Sequence, residues 1–255
     1  MRVKFDLDKQ VQQGFTIMTH GDRAVGKTHL IGDMLKYEAE FGKVGYINVA
    51  GEDGMLTISN LGLGNIGETI DSYDDLLTII DEYGKAKYQA VGLDSLMMFA
   101  RLARFKITNG VDRPLLIPSN DQLRCGMINE WPIMHNLMEA ISIKLRRTGK
   151  YVMVTAASDK ASGNLDLSVK PKNDRIAPNL PGKEAGDCVG WFDYMGYIDI
   201  KFVRPGVIQR TFSMTQDGVI AVRQRVPRMI KEVINLPEGP GGWKLIKEKI
   251  EEACK

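Results

Sequence analysis

Residues 21–28 read Gly-Asp-Arg-Ala-Val-Gly-Lys-Thr, which is the GxxxxGKT pattern of a loop that surrounds phosphate groups. Gly21 and Gly26 let backbone N–H groups turn toward a phosphate, and a helix after the loop directs its N-terminal amides at the same point. Lys27 supplies a cation for the terminal phosphates, and Thr28 supplies a hydroxyl for a magnesium ion. These residue types therefore indicate magnesium-dependent binding of a nucleotide such as ATP.

The flanking residues support this interpretation, because the motif needs a strand before it and a helix after it. An apolar run at 15–20 predicts the strand, and the pattern at 29–35 predicts the helix. The residues expected to contact the nucleotide are Gly21, Asp22, Arg23, Ala24, Val25, Gly26, Lys27, Thr28 and His29.

Acidic residues follow two further predicted strands. Residues 43–50 lead into Glu52 and Asp53, and the apolar run 88–93 leads into Asp94. Ligands of open α/β sheets lie at the carboxyl ends of the strands, so we expect these carboxylates near the phosphate loop. Asp94 is the candidate to hold magnesium together with the loop threonine. Glu52 is the candidate to orient an attacking water, with Asp53 as the alternative, and both also suit a glycine-flanked turn.

The remaining patterns predict an α/β fold. Further strands are expected at 151–158 and 191–200, helices at 72–84, from about 128 and at 243–253, and a hairpin of 207–214 with 219–222 around 216–218. Strands that alternate with helices favour a mostly parallel, twisted sheet flanked by helices, followed here by a C-terminal antiparallel hairpin. We expect one domain over 1–255, in which 1–14 form an N-terminal segment and 236–255 a linker and helix.

Charge is distributed unevenly along the chain. Residues 1–100 contain nine Lys and Arg against 15 Asp and Glu, whereas residues 101–255 contain 25 against 17. The later part is therefore the expected place for a polyanion, although ordinary surface charge is an alternative. Two irregular segments, at about 105–125 and 159–187, are interpreted as loops that contact nucleic acid. The candidate contacts in and beside these loops are Arg104, Lys106, Arg113, Lys170, Lys172 and Arg175.

Several classes of protein are disfavoured by the composition. No apolar run approaches the ~20 residues of a membrane-spanning helix, and residues 1–10 alternate apolar and charged types, unlike a secretory signal. Cys125, Cys188 and Cys254 are 63 and 66 residues apart, which fits neither a CxxC metal site nor a disulfide framework. We expect a protein of the reducing cytoplasm without a membrane partner.

The order of these motifs resembles the RecA-type ATPase core, and more narrowly the phage-encoded RecA-like ATPases that act with single-strand-binding proteins in annealing recombination. The resemblance covers nearly the whole chain. It is carried by 21–28, the acid after the second strand, 93–95, the stretch 178–183 that leads to 192–193, and 222–225.

The resemblance implies a magnesium-dependent ATPase that binds single-stranded DNA and assembles into a ring or filament, in the cytoplasm of a bacterial host if the chain is phage-encoded. A single-strand-binding protein is an implied further partner. The catalytic residues that it implies are Lys27, Glu52, Asp94 and Arg225.

Two positions depart from the pattern of the family. Arg223 and Arg225 resemble the pair that reaches the terminal phosphate of a neighbouring subunit's nucleotide in RecA-like assemblies, but the first of that pair is usually Lys. Ser158 ends the fourth predicted strand, where related proteins carry a Gln or His that senses the terminal phosphate.

An alternative within the same broad class is a nucleotide-dependent switch or loader that acts on a protein partner in DNA replication. A small-molecule kinase fits less well, because no arginine cluster marks a lid between predicted helices. Dependence of the ATP turnover on single-stranded DNA separates the first two functions.

Overall fold

A mostly parallel β-sheet with helices on both faces forms the centre of the fold. The computed structural model describes residues 14–116, 130–160, 176–180, 184–204, 207–215, 220, 222–226 and 228–255. The strands in chain order are β1 (Phe15–Gly21), β2 (Val44–Val49), β3 (Gly67–Ile70), β4 (Tyr88–Asp94), β5 (Gly149–Lys160), β6 (Ile176–Pro178), β7 (Tyr194–Arg204), β8 (Val207–Ser213) and β9 (Ile234–Leu236).

The sheet order places the phosphate-loop strand beside the strands that carry the acids. β3, β2, β4, β5, β1 and β7 lie side by side in this order and run parallel. β8 and β9 extend the sheet beyond β7 by antiparallel pairing, and β6 pairs antiparallel with the end of β5. The predicted α/β class and its mostly parallel sheet are therefore confirmed.

The helices cover the sheet on two sides. They are α1 (Lys27–Glu38), α2 (Gly54–Asn60), α3 (Tyr73–Ala86), α4 (Leu96–Ile107), α5 (Glu130–Leu145), α6 (Glu184–Asp187) and α7 (Gly242–Ala253). In β1, Ile17 packs toward α1, α2 and α7, while Met18 packs toward α3, α4 and α5, because neighbouring side chains of a strand point to opposite faces. Within the described ranges, no helix is long and apolar enough to cross a bilayer.

Buried acids of α1 fix the C-terminal helix against it. Asp33 accepts hydrogen bonds from the backbone N–H groups of Gly241 (2.8 Å) and Trp243 (2.7 Å), so it caps the first turn of α7 from a neighbouring helix. Glu38 is fully buried and accepts from Trp243 Nε1 (2.9 Å) and Lys247 Nζ (2.8 Å). α7 thereby holds the second half of the phosphate-loop helix in place.

The basic loop predicted at about 105–125 begins later than expected. α4 continues through Ile107, because its apolar residues form one buried face. Arg104 and Lys106 therefore lie in the last turn of a helix, where positive charge suits the helix dipole. Within the other predicted irregular segment, 159–187, the described residues include β6 and α6.

The C-terminal antiparallel hairpin is present, but it is formed by a different pair of strands. β8 pairs with β7, with Ile198 opposite Phe212, and its other neighbour is β9. Ile220 makes an isolated bridge to Ile176. The turn predicted around 216–218 lies outside the described residues, and the described hairpin joins β8 to β7, because an alternating pattern identifies a strand without identifying its partner.

Candidate active site

One cleft brings together the phosphate loop and the acids that follow β2 and β4. β4, β5 and β1 are parallel neighbours, so their carboxyl ends meet at one edge of the sheet. The cleft has a volume of about 660 Å³. The charged residues that line it are Arg23, Lys27, Glu52, Asp53, Asp94 and Arg101, and Thr28, His29 and Ser95 are among its polar residues.

The backbone of the loop adopts conformations that favour glycine. Ala24 and Gly26 have φ angles of 62° and 97°, and Gly26 is the N-cap of α1. A Cβ at Gly26 would lie 3.0 Å from Nη1 of Arg210, so a larger residue would be strained and crowded. The cleft is thus lined by a tight loop and by the first residues of a helix.

Lys27 lies back over the loop that precedes it. Its Nζ donates to the carbonyl oxygens of Gly21 (3.0 Å) and Asp22 (2.6 Å). Burial lowers the pKa of Lys27, while the carboxylates of Asp94 and Glu52 act in the opposite direction. A partly desolvated lysine, a glycine-rich turn and a helix N-terminus together fit the phosphates of a nucleotide.

The Asp94 carboxylate is buried and is held by hydroxyl groups from three other elements. Its Oδ2 accepts from Thr28 Oγ1 (2.6 Å) and from the Tyr46 hydroxyl (3.2 Å). Its Oδ1 accepts from the hydroxyl of Thr155, a residue of β5. Burial of the phenol and the adjacent Asp94 charge raise the pKa of Tyr46, which keeps it a donor.

The pair of Thr28 and Asp94 fits a magnesium ion better than a metal held by protein ligands alone. In the part of the chain that the structure describes, no group of three or more His, Cys, Asp and Glu could hold a metal ion. Magnesium usually takes one or two carboxylates and completes its shell with substrate phosphates and water. One hydroxyl and one carboxylate beside a phosphate loop match that preference.

Of the two acids after β2, Glu52 is the one that is tied to the rest of the cleft. Ser95 Oγ donates to Glu52 Oε1 (2.6 Å), and Asn48 Nδ2 donates to the Glu52 carbonyl oxygen (3.2 Å). Asp53 is exposed and precedes α2 as its N-cap residue. Of the two acids, Glu52 is therefore the better candidate for a catalytic carboxylate.

Ser158 contacts the strand that carries the phosphate loop. Its Oγ lies 2.9 Å from Nδ1 of the buried His20, the residue before the first loop glycine. β5 continues past Ser158 to Lys160, so Ser158 does not end the strand as predicted. A sensing role for Ser158 stays a prediction.

Arg225 lies far from the cleft of its own chain. Its Nη1 is 3.0 Å from Asp193 Oδ1, and Asp193 Oδ2 accepts from the N–H and Oγ1 of Thr16 at the start of β1. Thr16 precedes Gly21 by five residues, which is roughly 16 Å along a strand. Arg223 donates through Nη1 to the Val189 carbonyl oxygen (2.5 Å).

The described candidate contacts for nucleic acid each pair with an acid. The ion pairs are Arg104 with Asp112 (2.7 Å), Lys106 with Asp74 (2.5 Å), and Arg113 with Glu130 (2.5 Å). The hydrogen bonds from Arg113 and from the Leu116 N–H lower the pKa of Glu130 to about 2. The other three candidates, Lys170, Lys172 and Arg175, lie outside the described residues.

Some residues of the cleft were not found from the sequence. Tyr46, Ser95 and Thr155 hold the acids, and Arg101 lines the cleft from α4. Thr155 lies near the carboxyl end of β5, between the two strands that carry the motifs, and its position on that strand was the available signal.

Comparison with known proteins supports the fold. No protein-family model and no curated protein sequence matches the chain. The structure is similar to the crystal structure of a KaiC-like protein from the hyperthermophilic archaeon Pyrococcus horikoshii, with a TM-score of 0.50, 14% sequence identity, and coverage of 89% of this chain and 87% of that chain. The fold is that of a RecA-like core, whereas the narrower resemblance to phage annealing ATPases stays a prediction.

We predict that Glu52→Gln lowers ATP turnover by roughly a hundredfold or more, because removal of a positioned base costs at least that much. Binding of ADP should be retained, since the loop and Lys27 are unchanged. Asp53→Asn is the matched control and should turn over ATP like the wild type. Steady-state hydrolysis and calorimetric ADP binding measure both effects, and a larger loss in Asp53→Asn would reassign the role.

Proposed function

We propose that the chain is a magnesium-dependent ATPase that binds single-stranded DNA and assembles into an oligomer for DNA recombination, annealing or repair. The ATPase part is carried by the 2.6 Å hydrogen bond from Thr28 Oγ1 to Asp94 Oδ2, beside Lys27 in the same cleft. A loop hydroxyl and a carboxylate from another strand are the pair that phosphate-loop enzymes use to hold magnesium.

Lys27 and Glu52 have different tasks in this reaction. Lys27 exchanges its two carbonyl acceptors for phosphate oxygens and stabilises the negative charge of the transition state. Glu52 is held through Oε1 by Ser95, so its other oxygen can orient the attacking water. Magnesium bound at Thr28 and Asp94 would neutralise the oxygens of the terminal phosphates.

Assembly into an oligomer is supported by the position of Arg225. Its side chain is 46% exposed and lies at the opposite end of β1 from the phosphate loop. It therefore cannot reach the nucleotide of its own subunit, but a neighbouring subunit could place its cleft there. Release from Asp193 costs little, because an ion pair of this exposure contributes about 1 kcal/mol or less.

Binding of single-stranded DNA is supported by the chemistry of the exposed cations rather than by a preformed groove. Arg104 and Lys106 are half-exposed, and their acid partners Asp112 and Asp74 are exposed. Phosphates could replace those acids at little cost, since exposed ion pairs are weak. Binding would then depend on charge and tolerate any base sequence.

The loader alternative is favoured by the apolar end of the β7–β8 hairpin. Phe202 and Ile208 are directly opposite each other in the hairpin and have exposed fractions of 83% and 42%. Exposed apolar side chains that lie together are typical of a surface that binds another protein. Under this alternative the protein partner, and not DNA, would control turnover.

We predict that single-stranded DNA raises the ATP turnover and that its affinity falls steeply with salt. Each neutralised phosphate contributes about −0.7 to the slope of log K against log salt concentration. The double variant K170E/K172E should bind about tenfold more weakly, while K36E/K85E, at exposed sites on α1 and α3, serves as the control. Fluorescence anisotropy measures affinity, and a flat salt response without stimulation would favour the loader.

We predict that Arg225→Ala binds ATP but loses the DNA-stimulated turnover, because its cation acts on the neighbour's reacting phosphate. Lys27→Ala should also be inactive by itself, having lost a group worth at least about a hundredfold in rate. Oligomers assembled from both variants should recover part of the turnover, since each supplies what the other lacks. A mixture that stays inactive would contradict the role of Arg225 at a shared site.

A further inference from the structure

The β7–β8 hairpin extends beyond the end of the phosphate-loop strand. β1 pairs with β7 from Ile17 to His20, opposite Tyr194 to Tyr197, and then ends at Gly21. β7 continues to Arg204, seven residues past the last paired position, which is roughly 23 Å of strand. The hairpin therefore stands beside the cleft.

Arg210 lies on the hairpin face that is turned toward α1. Ile198 and Phe212 are opposite each other and are buried in the core that includes α1. Side chains two residues apart share a face, so Ile200 and its partner Arg210 continue this face outward. Arg210 is the first charged residue beyond the buried part of that face.

The guanidinium of Arg210 reaches the junction of the phosphate loop and α1. Its Nη1 would be 3.0 Å from a Cβ placed on Gly26. Burial and the charge of Arg210 lower the pKa of His29, which places the guanidinium near the first turn of α1 as well. Among the described residues, no acid forms an ion pair with Arg210, and its guanidinium has no hydrogen-bond acceptor.

The position of Arg210 relative to the acids indicates which part of a nucleotide it meets. Asp94 and Glu52 follow β4 and β2, which lie on one side of β1 in the sheet, while the hairpin lies on the other side. The terminal phosphate must lie near the acids, because they hold the metal and the water. The rest of the nucleotide therefore leads away from them, past Gly26 and toward the hairpin.

We propose that Arg210 is a nucleotide-binding residue of its own subunit that contacts the phosphate next to the ribose. This inference rests on the proposed function, because it assumes that the cleft binds a nucleotide. A guanidinium is suited to the role, since its planar fork can donate two parallel hydrogen bonds to phosphate oxygens. Arg210 supplies a positive charge on the opposite side of the loop from Asp94.

Calorimetric binding of ADP with magnesium, without DNA, tests the proposal. Arg210→Ala should bind ADP about tenfold or more weakly, because a charge-assisted hydrogen bond is lost. Arg210→Lys should recover part of the affinity, since it keeps the charge and loses the fork. Lys201→Ala is the matched control, as it removes one exposed cation from the opposite face of the same hairpin and should bind like the wild type.

The outcomes separate this inference from the proposed function. If Arg210→Ala binds ADP as tightly as the wild type does, the role of Arg210 is overturned and the proposed function is left intact. Equal losses in Arg210→Ala and Lys201→Ala would also overturn it, because the effect would belong to the hairpin as a whole. Absence of ADP binding by the wild type would overturn both. If Arg210→Ala does not fold, Arg210→Met replaces it in the experiment, and a circular dichroism spectrum checks that this variant is folded.

Discussion

The hydrogen bonds of the Asp94 carboxylate are the interaction on which the cleft depends. Asp94 has an exposed fraction of 4%, and burial of a carboxylate costs several kcal/mol unless polar partners compensate. Those partners are the hydroxyls of Thr28, Tyr46 and Thr155. They come from the start of α1, from β2 and from β5, so one buried charge joins four elements at the edge where the sheet meets the phosphate loop.

The rest of the fold keeps the phosphate-loop helix at that position. The first turn of α1 is held through Thr28, and its second half is held by Asp33 and Glu38, which bind the first turns of α7. With both parts of the helix fixed, the direction in which the loop between β1 and α1 enters the helix is fixed as well. On the hairpin side, the Arg210 side chain from β8 lies against Gly26, the residue before α1.

What could be predicted from the sequence was local. The motif at 21–28 and Asp94 after an apolar run are short patterns whose positions follow from strand and helix order, and the structure brings Lys27, Thr28, Glu52 and Asp94 into one cleft. The partner of β8 could not be predicted, because alternation says which face a residue takes and not which strand lies beside it.

Ion pairs between residues that are distant in the sequence could not be predicted from the sequence patterns either. Arg113 meets Glu130, and Arg225 meets Asp193 across 32 positions. Both arginines look like free cations in the sequence, since an ion pair between remote segments exists only once the chain has folded. α4 was not predicted for a related reason, because its basic last turn resembles a loop until its buried face is known.

The proposed function depends on a magnesium site formed by Asp94 and Thr28. The magnesium dependence of ATP turnover in Asp94→Asn tests it most directly, with Asp71→Asn as an exposed control. We expect turnover to fall by about a hundredfold and the half-saturating magnesium concentration to rise by about tenfold, with partial recovery at high magnesium. An Asp94→Asn protein with the magnesium dependence of the wild type would show that Asp94 does not hold the metal.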